Sequence, residues 1–339
     1  MTHQPDLAFF QGEALCYLYD VDIARYNTDP VVMANTEIRL MEEFETGSVG
    51  SSISLRGVAE AFGSTIQYYP DRFPSLKEPA VSDVKEIAGL KVPSPVKSAR
   101  LWTTLEALHF LRSRVAPGVS VSITIPGPFT TAMNIVGAEN LLRWSRKYPA
   151  EIKGLMELVT EATNQLIEEA KDLDISFGFA DPFSSTTVIS ARQYQEFSKP
   201  YIQVNIQKIR ELTGQRPVLH ICGKSREIWQ DIAELGIKTF SVDNVEDLGD
   251  LKRSMGEKVG IMGNVPPVEV LMLGSFEEID RAIRSCILKG WDSPMGYTLC
   301  TGCDIAPGTP KENINFYLKR SREILSQPLD MEALSKGLP

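Results

Sequence analysis

The sequence predicts a (β/α)8 barrel, a single α/β domain in which parallel strands alternate with helices. From about residue 119 onward, six strand-like runs alternate with segments of helical periodicity, a pattern typical of a parallel sheet. The chain has 339 residues, a length that suits one such barrel. An open doubly wound sheet is the alternative, but no G-x-G-x-x-G turn follows a first strand to favour it.

The six strands are short apolar runs rich in β-branched residues, each closed by a turn-forming residue or a polar strand end. We predict them at 119–125, 175–180, 217–222, 237–242, 258–262 and 297–300. The helices between and after them show the 3.6-residue spacing of apolar positions. They are predicted at 150–173, 191–212, 225–235, 246–255 and 276–288, with a last one after residue 309. In that last helix Thr309 is the expected N-cap, Pro310 the first residue, and Glu312 the partner in a capping box.

The first hundred residues are irregular, with proline-rich breaks and several aromatic side chains. Two further strand units are needed to close a barrel of eight, and strand-like pieces occur within 52–69. We therefore predict one domain over 1–339. About 1–100 would form an N-terminal cap over the barrel mouth together with the first strands, and about 101–330 the remaining barrel.

The composition excludes several classes of function. An apolar fraction of 43% and a charged fraction of 23% are typical of soluble globular proteins. The net charge of −9, with no basic stripe, argues against a nucleic-acid partner. No apolar run approaches the roughly 18 residues of a membrane span, and the N-terminus lacks a signal-peptide pattern. The five scattered cysteines argue against a disulfide framework, so we expect a cytoplasmic protein without a membrane partner.

The candidate chemistry gathers at the predicted carboxyl ends of the strands, where barrels of this kind place their active sites. His220 and Cys222 lie two residues apart on one strand, so their side chains point to the same face. We predict that with Cys303 they form a three-ligand zinc site, which would leave one coordination position open, as catalytic zinc requires. The alternative is that these cysteines are simply small buried apolar residues. Cys300 belongs to the same C-x-x-C pair as Cys303, and only one of the two is needed as the third ligand.

Two aspartates at strand ends are candidate catalytic residues. Asp243 ends the strand that follows the His-x-Cys strand, so its carboxylate is expected near the ligands, as a fourth, displaceable ligand or as a contact to the substrate. The alternative is that Asp243 starts a turn and caps the next helix. Asp181 ends an earlier strand, and there a site role and a local capping role are about equally supported.

Three segments resemble one protein family. Leu219-His220-Ile221-Cys222-Gly223, Gly263-Asn264-Val265-Pro266-Pro267 and Gly302-Cys303-Asp304-Ile305-Ala306-Pro307 resemble the uroporphyrinogen decarboxylase-like superfamily, and within it the corrinoid-linked methyltransferases that act on methylcobamide. The resemblance runs from about residue 119 to 327 and implies a (β/α)8 barrel.

The resemblance also implies a mechanism. Zn²⁺ held by His220, Cys222 and Cys303 would bind a small thiol, such as coenzyme M, which takes a methyl group from a corrinoid. No histidine lies in the corrinoid-binding pattern D-x-H-x-x-G, so a separate corrinoid protein is the expected partner. Gly263 and Asn264, at a strand end in the second segment, are predicted to contact the corrinoid cofactor.

The family pattern also leaves alternatives open. Thr301, rather than the usual proline, precedes Gly302-Cys303, which leaves the choice between Cys300 and Cys303 undecided. A demethylase-type enzyme that uses a small methylated or methoxylated donor would share the same fold. A decarboxylase would need an arginine-rich N-terminal signature of the type R-Q-A-G-R-Y, which residues 1–60 lack. A non-catalytic binding protein would have little reason to retain all three ligand types.

Overall fold

A computed structural model describes residues 4–10 and 12–338 of the chain. Its main sheet has eight parallel strands in the order β1-β10-β9-β8-β7-β6-β5-β2, curled and surrounded by helices. The predicted (β/α)8 barrel is confirmed. The strands of this sheet are β1 (Asp6–Leu7), β2 (Ser48–Ser52), β5 (Ser120–Pro126), β6 (Ser176–Ala180), β7 (Val218–Ile221), β8 (Thr239–Val242), β9 (Gly260–Val265) and β10 (Tyr297–Thr301).

Helices pack around the sheet, and most of them share its main apolar core, while a smaller cluster of Cys16, Ile23, Tyr26, Met33 and Ala107 lies among the N-terminal helices. They are α1 (Ile23–Thr28), α2 (Pro30–Phe44), α3 (Gly57–Ala61), α4 (Ala99–Arg114), α5 (Pro128–Val136), α6 (Ala138–Lys147), α7 (Pro149–Ala170), α8 (Ala191–Phe197), α9 (Lys199–Thr213), α10 (Trp229–Ala233), α11 (Leu248–Met255), α12 (Phe276–Gly290), α13 (Lys311–Leu325) and α14 (Met331–Ser335). Within the described part of the chain, no helix combines the length and apolar character needed to cross a bilayer.

All six strands predicted after residue 119 are present, but the first two barrel strands lie elsewhere than expected. They are β1 and β2, whereas the 52–69 region contributes only β3 (Thr65–Gln67), which pairs with β4 (Ser75–Glu78) in a separate antiparallel hairpin. The prediction failed because β1 has two residues and β2 is the serine- and glycine-rich segment SVGSS, which has little intrinsic strand propensity. Pairing with β5 and β10 places these segments in the sheet.

Two helix predictions also need correction. The region 191–212 is two helices, α8 and α9, separated at Ser198, because Pro200 begins a new helix in its first turn. The capping box at Thr309 is wrong. Pro310 is the N-cap of α13 and no side chain caps it, since the Thr309 hydroxyl donates to the Ala306 carbonyl at 2.7 Å.

The N-terminal region reaches the barrel mouth at several points. The Phe10 ring lies 6.3 Å from the His220 ring in an edge-on arrangement. The Tyr17 hydroxyl donates to the Thr309 carbonyl, which lies in the loop after β10. These contacts place part of the first hundred residues beside the carboxyl ends of the strands. Residues 1–3 and Gln11 of the predicted cap, like Pro339, lie outside the described residues.

Candidate metal centre

Three side chains from two separate strands converge at the carboxyl end of the barrel. His220 lies on β7, Cys222 follows the end of that strand, and Cys303 follows the end of β10. One ligand atom from each lies within 4.8 Å of the others, an arrangement able to hold a metal ion. Since β8 and β9 lie between β7 and β10 in the sheet, curling of the sheet is what brings these residues together.

The His220 ring is oriented by one hydrogen bond. Its Nδ1 lies 3.1 Å from the hydroxyl of Ser241, the residue paired with His220 across β7 and β8. Its Nε2 is buried and has no hydrogen-bond partner in the described part of the chain. Buried polar atoms rarely lack a partner, and a metal-binding histidine usually carries such an orienting bond on its other nitrogen. The ring therefore fits a metal ligand acting through Nε2.

The two thiols have a spacing that suits a shared cation. Cys222 Sγ and Cys303 Sγ lie 3.6 Å apart. A disulfide would bring them to about 2.05 Å, whereas two sulfurs on one tetrahedral zinc, each at about 2.3 Å, would lie roughly 3.8 Å apart. Hydrogen bonding to Cys303 raises the pKa of Cys222, which keeps that thiol protonated until a cation displaces the proton.

The two cysteines of the C-x-x-C pair differ in their suitability as metal ligands. Cys300 lies within β10 and is fully buried, and this burial raises its pKa to about 12. Within the described residues, the metal-binding group contains Cys303 and omits Cys300. The geometry therefore favours Cys303 as the third ligand. Cys16 and Cys286 are buried away from the group, as packing residues would be.

Asp243 lies beside the candidate ligands, as the strand order predicted. Its Oδ2 is 3.2 Å from Cys222 Sγ and accepts a 2.7 Å hydrogen bond from the Gly223 amide. Its Oδ1 accepts from the Val245 amide at 2.9 Å, so the carboxylate also stabilises a turn. The alternative that Asp243 caps the next helix is wrong, because Asp247 is the N-cap of α11.

The carboxylate of Asp181 forms its hydrogen bonds with residues outside the metal-binding group. It is fully buried, and its Oδ1 accepts hydrogen bonds from the Thr130 amide at 2.8 Å and hydroxyl at 2.6 Å. Its Oδ2 accepts from the Ser198 hydroxyl at 3.4 Å. Burial raises its pKa to about 6 in spite of these donors. These contacts tie the start of α5 to the start of α9, so they favour a structural role over the predicted catalytic one.

Gly263 and Asn264, the predicted cofactor contacts, are both buried in β9. A Cβ atom at Gly263 would lie 2.9 Å from the Val242 carbonyl oxygen, which explains the glycine. The Asn264 amide donates to the carbonyls of Asp243 at 3.2 Å and Glu246 at 2.8 Å. The observed role of Asn264 is therefore to hold the loop that carries Asp243.

Several residues of the mouth were not singled out from the sequence. Ser241 could have been found by aligning the predicted strands, because it occupies the position next to His220 in the register. Asp304 directly follows Cys303, and partial removal of its carboxyl from water by the surrounding residues raises its pKa, whereas the nearby His220 lowers that pKa. A groove of about 580 Å³ lies at the opposite end of the barrel, around Ser120 and Ser176. That end of the strands is not where barrel enzymes place their chemistry.

Comparison with known proteins identifies the family. The family model described as uroporphyrinogen decarboxylase (URO-D) matches residues 13–324. The chain belongs to this family. Within it, the chain is similar to the methylcobamide:CoM methyltransferase MtaA of Methanosarcina barkeri, with 28% identity over 295 residues that cover 85% of this chain and 83% of the relative. It is also 28% identical over 269 residues to the methylated-thiol–coenzyme M methyltransferase of Methanosarcina mazei, covering 78% and 69% of the two chains.

A solved structure supports the same fold. A methyltransferase from Methanosarcina mazei superposes with a TM-score of 0.84 at 24% identity, covering 96% of this chain and 95% of that one. The resemblance predicted from the three motifs is confirmed, including the similarity to the methyltransferase branch. The expected class, an enzyme that transfers methyl groups, agrees with these URO-D relatives.

Proposed function

We propose that this URO-D family protein transfers a methyl group between a corrinoid carried by a separate protein and a small thiol. The thiol would bind to Zn²⁺ held by His220, Cys222 and Cys303. The observation that carries the proposal is the convergence of one imidazole nitrogen and two sulfurs within 4.8 Å of one another at the carboxyl end of the barrel. In addition, His220 Nε2 is buried and lacks a hydrogen-bond partner among the described residues. Similarity to methylcobamide:CoM methyltransferases supports the same reaction class.

The three side chains suit zinc on chemical grounds. Sulfur ligands select zinc over magnesium or calcium, and three protein ligands leave one coordination position for a substrate. When bound, Zn²⁺ would stabilise the thiolate form of the substrate, and the thiolate is the nucleophile at neutral pH. The chain contributes the fixed positions of the three ligands, with Ser241 holding the His220 ring through Nδ1.

The proposed transfer conserves atoms and electrons. The thiol would release its proton to water, a sulfur lone pair would form the new S–CH₃ bond, and the electron pair of the broken Co–CH₃ bond would stay with the corrinoid. The Asp243 carboxylate lies 3.2 Å from Cys222 Sγ, which places it beside the region that a bound thiol would occupy. We therefore assign Asp243 a contact to the substrate or to the metal, whereas Asp181 has no such access.

We propose that a second protein carries the corrinoid, because no histidine of the given sequence lies in a D-x-H-x-x-G pattern. We propose that this partner approaches the carboxyl end of the barrel, where the candidate ligands lie. Gly263 and Asn264 would act on the cofactor only indirectly, through the loop of Asp243. The free thiols of the site suit a reducing, cytoplasmic compartment.

The decisive test combines metal analysis with turnover. We expect close to one zinc per chain in the purified protein and demethylation of free methylcobalamin that depends on an added thiol. Zinc without thiol-dependent turnover would instead favour the demethylase-type reaction, in which small methylated or methoxylated donors are then tried. Protein that lacks zinc and remains fully active would refute the metal site.

The role of Asp243 can be tested by an isosteric change. Asp243→Asn keeps the shape of the side chain but removes its charge, so we expect zinc to be retained. The KM for the thiol should rise by about tenfold, the usual effect of losing one hydrogen bond to a charged group. Zinc content and thiol-dependent kinetics are the measurements. Asp247→Asn, at the N-cap of α11, is the control, and unchanged thiol kinetics in Asp243→Asn would leave Asp243 with its turn-stabilising role alone.

A further inference from the structure

An arginine near the barrel mouth has a buried nitrogen that lacks a hydrogen-bond partner in the described part of the chain. Arg56 follows the carboxyl end of β2 and directly precedes α3. Its side chain is half-buried, and Nε is buried without a hydrogen-bond partner. Across residues 4–10 and 12–338 its guanidinium forms no ion pair or hydrogen bond. A buried donor without a partner is costly, and an acceptor atom supplied by a ligand would satisfy Nε, while the other two guanidinium nitrogens remain available to the same ligand.

The neighbouring Arg100 differs in this respect. It is 4% exposed, and its guanidinium donates to the Ser52 carbonyl at 2.9 Å, to Asn27 Oδ1 at 3.2 Å and to the Thr104 hydroxyl at 3.1 Å. These bonds join β2, α1 and α4, so Arg100 serves the packing of the N-terminal region. Arg56 has no comparable structural task.

Charged groups connect Arg56 with the candidate metal centre. Glu13 accepts a 2.5 Å hydrogen bond from Asn27 and interacts electrostatically with Arg100, Asp304 and Arg56. Asp304 in turn interacts with His220. Arg56 follows the carboxyl end of β2 and the metal-binding group lies at the carboxyl ends of β7 and β10, so both are at the same end of the barrel, with β5 and β6 between β2 and β7.

We propose that Arg56 binds the anionic end of the substrate thiol and so determines which thiols the enzyme accepts. This inference rests on the proposed function, in which the sulfur end lies at His220, Cys222 and Cys303. A planar guanidinium pairs with a sulfonate or carboxylate through two parallel hydrogen bonds. The substrate class is thus a short thiol with an acidic group at its other end, held at two walls of the mouth.

The test compares thiols of similar size and different charge in the zinc-loaded enzyme. We use 2-mercaptoethanesulfonate and 3-mercaptopropionate as anionic thiols, and 2-mercaptoethanol as the neutral one, with free methylcobalamin as donor. In Arg56→Gln we expect the KM for the anionic thiols to rise about 10- to 100-fold, the effect of losing a hydrogen bond to a charged group. The KM for 2-mercaptoethanol should change less than about twofold, because that thiol has no anion for Arg56 to bind.

Two further measurements separate this role from a structural one. Ethanesulfonate, which has no thiol, should inhibit the wild type competitively and lose this inhibition in Arg56→Gln. Arg146→Gln makes the same charge change at an exposed helix position and should behave as the wild type. Equal losses for anionic and neutral thiols in Arg56→Gln, or no change for either, would overturn the inference. If no thiol supports turnover in the wild type, the proposed function itself fails.

Discussion

Cys222→Ser and His220→Ala are each expected to lose bound zinc and to transfer methyl groups about 1,000-fold more slowly, because metal-ion stabilisation of a reacting group is worth several kcal/mol. Both side chains belong to the group whose ligand atoms lie within 4.8 Å of one another. Neither is fully buried, so the barrel should still fold. Metal content, methylcobalamin demethylation and thermal unfolding of the purified variants are the measurements.

The C-x-x-C pair supplies a matched control for this prediction. Cys303→Ala should lose zinc and activity as Cys222→Ser does, whereas Cys300→Ala should keep both, because the Cys300 side chain is buried in β10. Loss of zinc and activity in Cys300→Ala, with both retained in Cys303→Ala, would make Cys300 the third ligand. Unchanged transfer in a metal-free Cys222→Ser protein would contradict the metal site as a whole.

Asp181→Asn is expected to change how stability depends on pH. Burial raises the pKa of Asp181 from 3.8 to about 6, so between these values the folded protein keeps a proton that the unfolded chain has lost. The stabilisation from this proton is complete below about pH 4 and is lost as pH rises through about 6. Asparagine cannot ionise, so the unfolding free energy of the variant relative to the wild type should increase by about 3 kcal/mol between pH 4 and 7.

Urea unfolding at several pH values measures this difference. Asp172→Asn, at an exposed position, is the control and should follow the wild-type curve at every pH. Parallel curves for Asp181→Asn and the wild type would mean that the buried carboxylate does not titrate differently in the two states. Methyl transfer by Asp181→Asn near the wild-type rate would in addition confirm that its hydrogen bonds to Thr130 serve structure alone.

Much of the barrel could be predicted from local pattern. The six strands after residue 119 are apolar runs with clear ends, and burial of the barrel sheet on both faces produces such runs directly. β1 and β2 could not be predicted this way, because two residues and a serine-rich pentapeptide carry no strand signal of their own. Their place in the sheet depends on hydrogen bonds to β10 and β5, which are distant in sequence.

The residues of the candidate site, too, could be predicted from the sequence only in part. His220, Cys222 and the nearby Asp243 could be found from the sequence alone, since the two-residue period of a strand and the order of neighbouring strands determine where they point. Tertiary structure alone favoured Cys303 over Cys300 and gave the His220 ring its hydrogen bond to Ser241. It also buried the Asp181 carboxylate against Thr130 and left Arg56 Nε without a hydrogen bond to any described residue. The physical reason is that each of these outcomes depends on which side chains meet across the curled sheet, and one-dimensional spacing contains no information on such contacts.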